Sequence, residues 1–149
     1  MLTMSGTLPM NTPIVIEAVI NAPPDAVWNA VTSTDRMRDW QFDIKDFKPV
    51  PGFEFTFLGG PEGRKYLHVC KVTDAVPARK IAYSWYFDGY GGMSQVSFEM
   101  FPAGAGTRLR LTHAGVDTFP ASNPDFAKQN FVMGWTAIVQ DIKTELELK

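Results

Sequence analysis

Hydrophobic and polar positions divide the first forty residues into a strand and two helices. A β-branched run over residues 13–20 predicts a first strand. Pro23 and Pro24 can open a short helix, because a missing amide donor does no harm in the first helical turn. Ser33 or Thr34 can cap a second short helix. A strand followed by two short helices is therefore predicted.

From Phe42 to His113 the pattern changes to short alternating runs separated by Gly- and Pro-rich turns. This pattern predicts an antiparallel meander of about six strands. Phe53, Phe55 and Phe57 fall on one side of their strand, because successive side chains of a strand point to opposite faces. One face of the sheet is expected to be buried and the other to face water.

The last segment has the period of a long amphipathic helix. Asn123 is a good N-cap and Pro124 fits the first helical position. Apolar residues then recur at helical spacing, at Phe131, Trp135, Ile138, Val139, Ile142 and Leu146. A helix from Pro124 to Leu148 would be roughly 35 Å long, enough to cross a curved sheet. The predicted fold is an α+β domain in which the sheet closes over this helix.

Length and composition place the chain among ordinary globular domains. Its 149 residues are 45% hydrophobic and 20% charged, which is typical of a single folded domain. Residues 1–12 show no periodicity and are interpreted as a flexible N-terminal arm, so the domain is expected to span residues 13–149.

Charge and special segments exclude several classes of partner. A net charge of −2 with no basic stripe argues against nucleic-acid binding. Cys70 is the only cysteine, so no disulfide can form within the chain, and no set of residues has the spacing of a metal site. The sequence has no run of about 18 apolar residues, so no membrane insertion is expected. The first ten residues lack an export signal, so a cytoplasmic location is expected.

The aromatic content, eleven Phe and four Trp among 149 residues, is high for one small domain and indicates an apolar container. Alternation places several polar-tipped rings on the inner face of the sheet. The candidate ligand-binding residues are Tyr66, His68, Tyr83, Trp85, His113 and Trp135. The alternative is that each ring fills the core and pairs its polar tip with the backbone, and Trp135 fits that alternative better than the others do.

A catalytic role is not assigned to any residue. His68 and His113 could exchange protons near neutral pH, and Cys70 could act as a nucleophile beside an imidazole. These three residues match no ordered triad, and a buried free cysteine is more often a small apolar residue.

Particular segments resemble a known superfamily. Residues 16–18 and 23–32, followed by Trp40, resemble the opening of the SRPBCC superfamily, which includes the START and birch-pollen-allergen-like proteins. Residues 51–55, 76–85, 106–113 and 134–135 are similar to its activator-of-heat-shock-protein-ATPase homologue branch, the Aha type. The resemblance covers roughly residues 14–148.

This resemblance implies the helix-grip fold, with a deep cavity between the long helix and the sheet. Members hold lipids, polyketides, hormones or aromatic substrates, and some are enzymes. Three functions therefore stay open: binding of an apolar or aromatic small molecule without a cofactor, a cyclase- or hydrolase-type reaction in the same cavity, and a chaperone-activating protein interaction. Whether the protein forms a homodimer also stays open.

Overall fold

The fold is given by a computed structural model that describes residues 12–40, 44–60 and 63–148. The main elements are β1 (Ile14–Ile20), α1 (Pro24–Thr32), α2 (Thr34–Trp40), β2 (Glu54–Gly59), β3 (Tyr66–Val76), β4 (Lys80–Phe87), β5 (Ser94–Ala103), β6 (Gly106–Ala114) and α3 (Lys128–Glu147). Two single-turn 3-10 helices, Val116–Thr118 and Pro124–Phe126, connect β6 to α3. The expected N-terminal arm lies outside the described residues, apart from residue 12.

The described strands form an antiparallel sheet in the order β1-β6-β5-β4-β3-β2, so that β1 and β2 are its two edges. Short helices follow β1, and the long helix comes last. The predicted α+β helix-grip class is confirmed. The meander after the two helices contains five described strands, where the turn pattern had indicated about six, and β1 supplies the sixth strand of the sheet.

The difference in strand number comes from residues 44–53, which form irregular structure. Ile44 and Phe47 are buried in the core, although neither residue belongs to a strand. Phe47 lies with its ring 5.1 Å from that of Phe55, measured between centroids. Buried apolar residues in this irregular segment give it the composition of a strand, although it does not alternate as a strand does.

The inner face of the sheet is the one that alternation predicts. His68, Cys70 and Val72 of β3 are buried, as are Tyr83 and Trp85 of β4. The pairing of β3 with β4 shifts its register only between Val72 and Asp74, beyond these inward positions. Alternation holds across the centre of the sheet because no bulge interrupts it there.

Helix α3 lies across the concave face and packs most closely on β1, while α1 packs against β5 and β6. The buried residues of α3 are Trp135, Val139, Ile142 and Leu146. The beginning of α3 and the turn before it reach β4, where the rings of Trp135 and Phe126 contact those of Trp85 and Phe87. In the described ranges no helix is both long and apolar enough to cross a membrane.

The long helix begins later than the sequence indicates. The side chain of Asn123 does accept a hydrogen bond from the backbone N–H of Asp125, but it caps the 3-10 turn Pro124–Phe126. Ala127 is extended, with φ −64° and ψ 140°, and separates this turn from α3. Phe126 is buried with its ring stacked 4.5 Å from Phe87, so packing against the sheet outweighs continuation of the helix.

Candidate functional site

A cavity of about 280 Å³ lies between the sheet and the first half of α3. Strands β2, β3 and β4 supply its floor, and α3 with the preceding turn supplies its roof. The walls are mostly rings, with a few polar groups. The lining residues are Phe57, Leu58, Gly59, Gly60, Tyr66, His68, Trp85, Phe87, Asp125, Phe126, Asn130, Phe131, Gly134, Trp135 and Ile138. Such a mainly apolar concavity with a few polar groups is typical of small-molecule sites.

Helix α3 presents one stripe to the cavity, formed by Phe131, Gly134, Trp135 and Ile138. These positions are three and four residues apart, so they share one face of the helix. A Cβ atom added to Gly134 would have no heavy atom within 4 Å. Glycine in a helix interior costs about 1 kcal/mol relative to alanine. Gly134 is itself exposed, so the open space beside it lies at the mouth of the cavity.

His68 lines the cavity from β3. Its ring stacks on Phe57 with centroids 4.2 Å apart, and Nδ1 lies 3.0 Å from the carbonyl oxygen of Tyr66. Because a carbonyl only accepts, Nδ1 carries the hydrogen, and Nε2 of the neutral ring is an acceptor. Burial lowers the pKa of His68 to about 4, although the backbone carbonyls of Tyr66 and Phe57 favour the charged form. The ring is neutral at physiological pH.

Trp135 and His113 belong to a buried hydrogen-bond chain beside the cavity. Nε1 of Trp135 donates to Nδ1 of His113 at 2.8 Å. Nε2 of His113 therefore carries the hydrogen and donates to Oγ of Ser94, also at 2.8 Å. The Ser94 hydroxyl in turn donates to the carbonyl oxygen of Trp85. Burial lowers the pKa of His113 to about 3, so this ring is neutral and joins α3 to the sheet.

Tyr83 lies in the core rather than in the lining of the cavity. It is fully buried, with ring centroids 5.1 Å from Phe55 and 6.4 Å from Phe47. The structure thus brings Tyr66, His68, Trp85 and Trp135 to the cavity and places Tyr83 and His113 outside its lining. Whether the four lining residues contact a ligand stays a prediction.

A group of side chains, here called the polar rim, joins the cavity to solvent: Arg64, Tyr66, Asn123 and Asp125. Arg64 holds Asp125 through two hydrogen bonds, Nε to Oδ2 at 2.6 Å and Nη2 to Oδ1 at 2.7 Å. The Tyr66 hydroxyl donates to Oδ2 of Asp125 at 2.6 Å and accepts from the Asn123 amide at 3.2 Å. The side chain of Asp125 is 9% exposed and that of Arg64 49% exposed, so the carboxylate faces inward.

The rim fixes the charge of its members. The hydrogen bonds from Arg64 and then from Tyr66 lower the pKa of Asp125 to about 2. The bond to the carboxylate raises the pKa of Tyr66, so its phenol stays protonated. The rim therefore presents an ionised carboxylate whose charge is balanced by one guanidinium group.

Arg64, Asp125, Asn130 and Gly134 were not among the candidates chosen from the sequence. Arg64 and Asp125 are 61 residues apart, and Asp125 fits the pattern of an ordinary first helical turn. The detectable signal was Gly134, which interrupts an otherwise apolar helical stripe.

Nucleophilic and metal chemistry receive little support from the described residues. Cys70 is 1% exposed, and burial raises the pKa of its thiol well above the ordinary value. A thiol that stays protonated is a poor nucleophile. In residues 12–40, 44–60 and 63–148, no three His, Cys, Asp or Glu side chains come together in a way that could hold a metal ion.

Comparison with known proteins places this architecture in a family. The model of the Activator of Hsp90 ATPase homolog 1-like protein family matches residues 21–147. The chain belongs to this family. The resemblance of the sequence to the Aha-type branch of the SRPBCC superfamily is thereby confirmed. Among curated proteins, none matches the sequence.

Solved structures agree with the Activator of Hsp90 ATPase homolog 1-like fold. MLL2253 from Mesorhizobium loti is 26% identical, with a TM-score of 0.74 over 93% of this chain and 98% of that one. CalU16 from Micromonospora echinospora is 25% identical, with a TM-score of 0.65 over 86% and 71% of the two chains. DynU16, described as a protein in the dynemicin biosynthetic locus, is 21% identical, with a TM-score of 0.71 over 91% of this chain and 47% of that one.

Proposed function

We propose that this family member binds an apolar or aromatic small molecule in the cavity between the sheet and α3. The observation that carries the proposal is the cavity itself, a mainly apolar concavity of about 280 Å³ with seven aromatic side chains in its lining. A protein interior normally closes such gaps, because voids forfeit packing contacts. Gly134 lines this cavity at an exposed position of α3, where it leaves the mouth of the cavity open.

The polar groups of the cavity support binding with a fixed orientation. His68 lies on the floor, and Asp125 belongs to the polar rim at the edge. The remaining walls bury apolar surface, which supplies most of the free energy of binding. Tyr66, His68, Trp85 and Trp135 are proposed as contact residues, now joined by Asp125 and Phe131.

The experiment fills the cavity by mutation. Gly134→Leu should project a side chain into the space and block binding, while Ala137→Leu adds the same side chain at an exposed position of α3 outside the lining. Ligands released from purified protein by denaturing extraction would be identified by mass spectrometry, and a panel of aromatic and lipid-like molecules would be screened by thermal shift. The proposal requires that stabilisation by ligand disappears in Gly134→Leu and persists in Ala137→Leu. Equal responses in the two variants would refute it.

A cyclase- or hydrolase-type enzyme is the second candidate, and His68 is the observation that favours it. The ring lies in the cavity wall and its neutral form offers one nitrogen as a base. A pKa of about 4 makes that base weak at neutral pH, because general bases work best with a pKa near the working pH. Binding is therefore proposed ahead of catalysis. Turnover of a bound polyketide-like ligand, lost in His68→Phe, would reverse this order.

A further inference from the structure

We infer that the ligand is an uncharged aromatic molecule carrying a hydrogen-bond donor, such as a phenolic hydroxyl, and that the cavity rejects carboxylates. This inference rests on the proposed function and specifies the chemistry of the same site. It follows from the shape of the cavity, from its charges and from its unused hydrogen-bonding capacity.

The shape favours a compact, flat molecule. The volume of about 280 Å³ lies just below the range that is usual for small-molecule pockets, roughly 300–1,000 Å³. The walls include seven aromatic side chains besides His68, namely Phe57, Tyr66, Trp85, Phe87, Phe126, Phe131 and Trp135. Rings prefer offset-stacked or edge-to-face neighbours, which an aromatic ligand can supply. A long acyl chain would exceed the space and could not use these contacts as well.

The charges disfavour an anion. The described lining residues include no lysine or arginine, and they include the ionised Asp125. Arg64 lies behind this carboxylate and holds it with Nε and Nη2. His68 is neutral and does not supply a positive charge. A carboxylate entering this cavity would lose its hydration beside a second carboxylate, with no cation assigned to it.

Three side chains of the lining already use their donors within the protein. The hydroxyl hydrogen of Tyr66 goes to Asp125, and the indole hydrogen of Trp135 goes to His113. The Asn130 amide donates to the carbonyls of Pro124 and Asp125.

Two of the polar side chains in the lining keep acceptor capacity. Nε2 of neutral His68 can accept, and the two oxygens of Asp125 offer about four acceptor positions, of which Arg64 and Tyr66 fill three. A ligand that donates a hydrogen bond is therefore the complementary partner.

The test compares three molecules of the same ring size: naphthalene, 2-naphthol and 2-naphthoate. Their dissociation constants would be measured at pH 7.5 by NMR titration of the wild-type protein. We expect 2-naphthol to bind about 3- to 10-fold more tightly than naphthalene, as one hydrogen bond contributes. We expect 2-naphthoate to bind at least about tenfold more weakly than 2-naphthol.

Two variants assign these preferences to residues. His68→Phe keeps a ring against Phe57 and removes one of the two acceptors, so the preference for 2-naphthol over naphthalene should decrease. Asp125→Asn removes the negative charge, so 2-naphthoate should gain affinity relative to 2-naphthol. Tyr86→Phe is the control, since it removes a hydroxyl on the outer face of β4 and should leave all three affinities unchanged.

The outcomes separate this inference from the proposed function. If none of the three molecules binds, and the blocked variant Gly134→Leu behaves like wild type with every ligand tried, the proposed function fails. If the three bind but 2-naphthoate binds as tightly as 2-naphthol, the inference is wrong while the proposed function stands. The comparison within the wild-type protein decides this even where a variant fails to fold.

Discussion

The indole nitrogen of Trp135 donates a hydrogen bond to Nδ1 of His113 over 2.8 Å, joining the roof of the cavity to strand β6. Both residues are buried, and His113 is fully enclosed. This bond fixes the imidazole tautomer, and through Nε2 and Ser94 it reaches the backbone of Trp85 on β4. One polar chain thus connects α3, β6, β5 and β4 within an otherwise apolar interior.

Trp135→Phe should destabilise the protein by about 1–3 kcal/mol beyond its change in packing, because it leaves a buried acceptor on His113 without its donor. Denaturant unfolding measures this difference. Trp28→Phe is the control, because Trp28 is half-buried and takes no part in this hydrogen-bond network. It should reduce the free energy of unfolding by less. Nitrogen NMR of the wild type should show the hydrogen on Nε2 of His113, and a hydrogen on Nδ1 would contradict the assigned network.

Stability should fall as the pH is lowered from about 6.5 toward 4. The pKa values of His113 and His68 are about 3 and about 4 in the folded protein, against an ordinary 6.5. Below pH 6.5 the unfolded chain therefore takes up protons that the folded protein does not, so stability is fully present above 6.5 and decreases below it. The decrease is about 1.4 kcal/mol per histidine per pH unit.

His113→Gln tests the source of this pH dependence. An amide can both donate and accept but does not titrate, so the slope of unfolding free energy against pH between 6 and 4.5 should fall by about half. Asp125, whose pKa is lowered from 3.8 to about 2, contributes only below this window. An unchanged slope in His113→Gln would show that the ring takes up its proton over the same pH range in the folded and the unfolded protein.

Gly134→Ala should stabilise the protein by about 0.5–1 kcal/mol, because alanine favours the helix and its Cβ meets no atom within 4 Å. Thermal unfolding without ligand measures this gain. The same variant should bind ligand more weakly, since the methyl group takes part of the space. A loss of stability would mean that the roof lies closer to the floor than the structure shows.

Native protein should resist thiol reagents at Cys70. The side chain is 1% exposed and its thiol has a raised pKa, so labelling requires opening of the sheet. Thirty minutes with a chromogenic disulfide at pH 8 should label less than about a tenth of the protein, and denaturant should speed the reaction. Thr136→Cys, exposed on α3, is the control and should react at once.

The sequence predicts the inner face of the sheet well, because a period of two residues fixes the side of every position until a bulge occurs. His68, Trp85 and Tyr83 are all buried as predicted. Alternation does not distinguish a wall of the cavity from the core, since that depends on the height of α3 above each strand. Trp85 lines the cavity and Tyr83 does not, and this difference depends on the packing of α3, which is distant in the sequence.

The pairing of side chains in the polar rim could not be predicted from the sequence for a related reason. Arg64 and Asp125 meet only because the turn Pro124–Phe126 folds apart from α3 and rests on the sheet. Ala127, the extended residue that separates this turn from α3, has no signature in the hydrophobic pattern. Long-range ion pairs of this kind depend on tertiary packing rather than on spacing.

The separation at Ala127 also divides two roles between the turn Pro124–Phe126 and α3. The turn Pro124–Phe126 carries the charged group that faces the cavity, whereas α3 carries the residues that hold the domain together. Under the proposed function, substitution of Asp125 in this turn should therefore change ligand preference while α3 keeps its contacts with β1 and Phe126 keeps its place in the core.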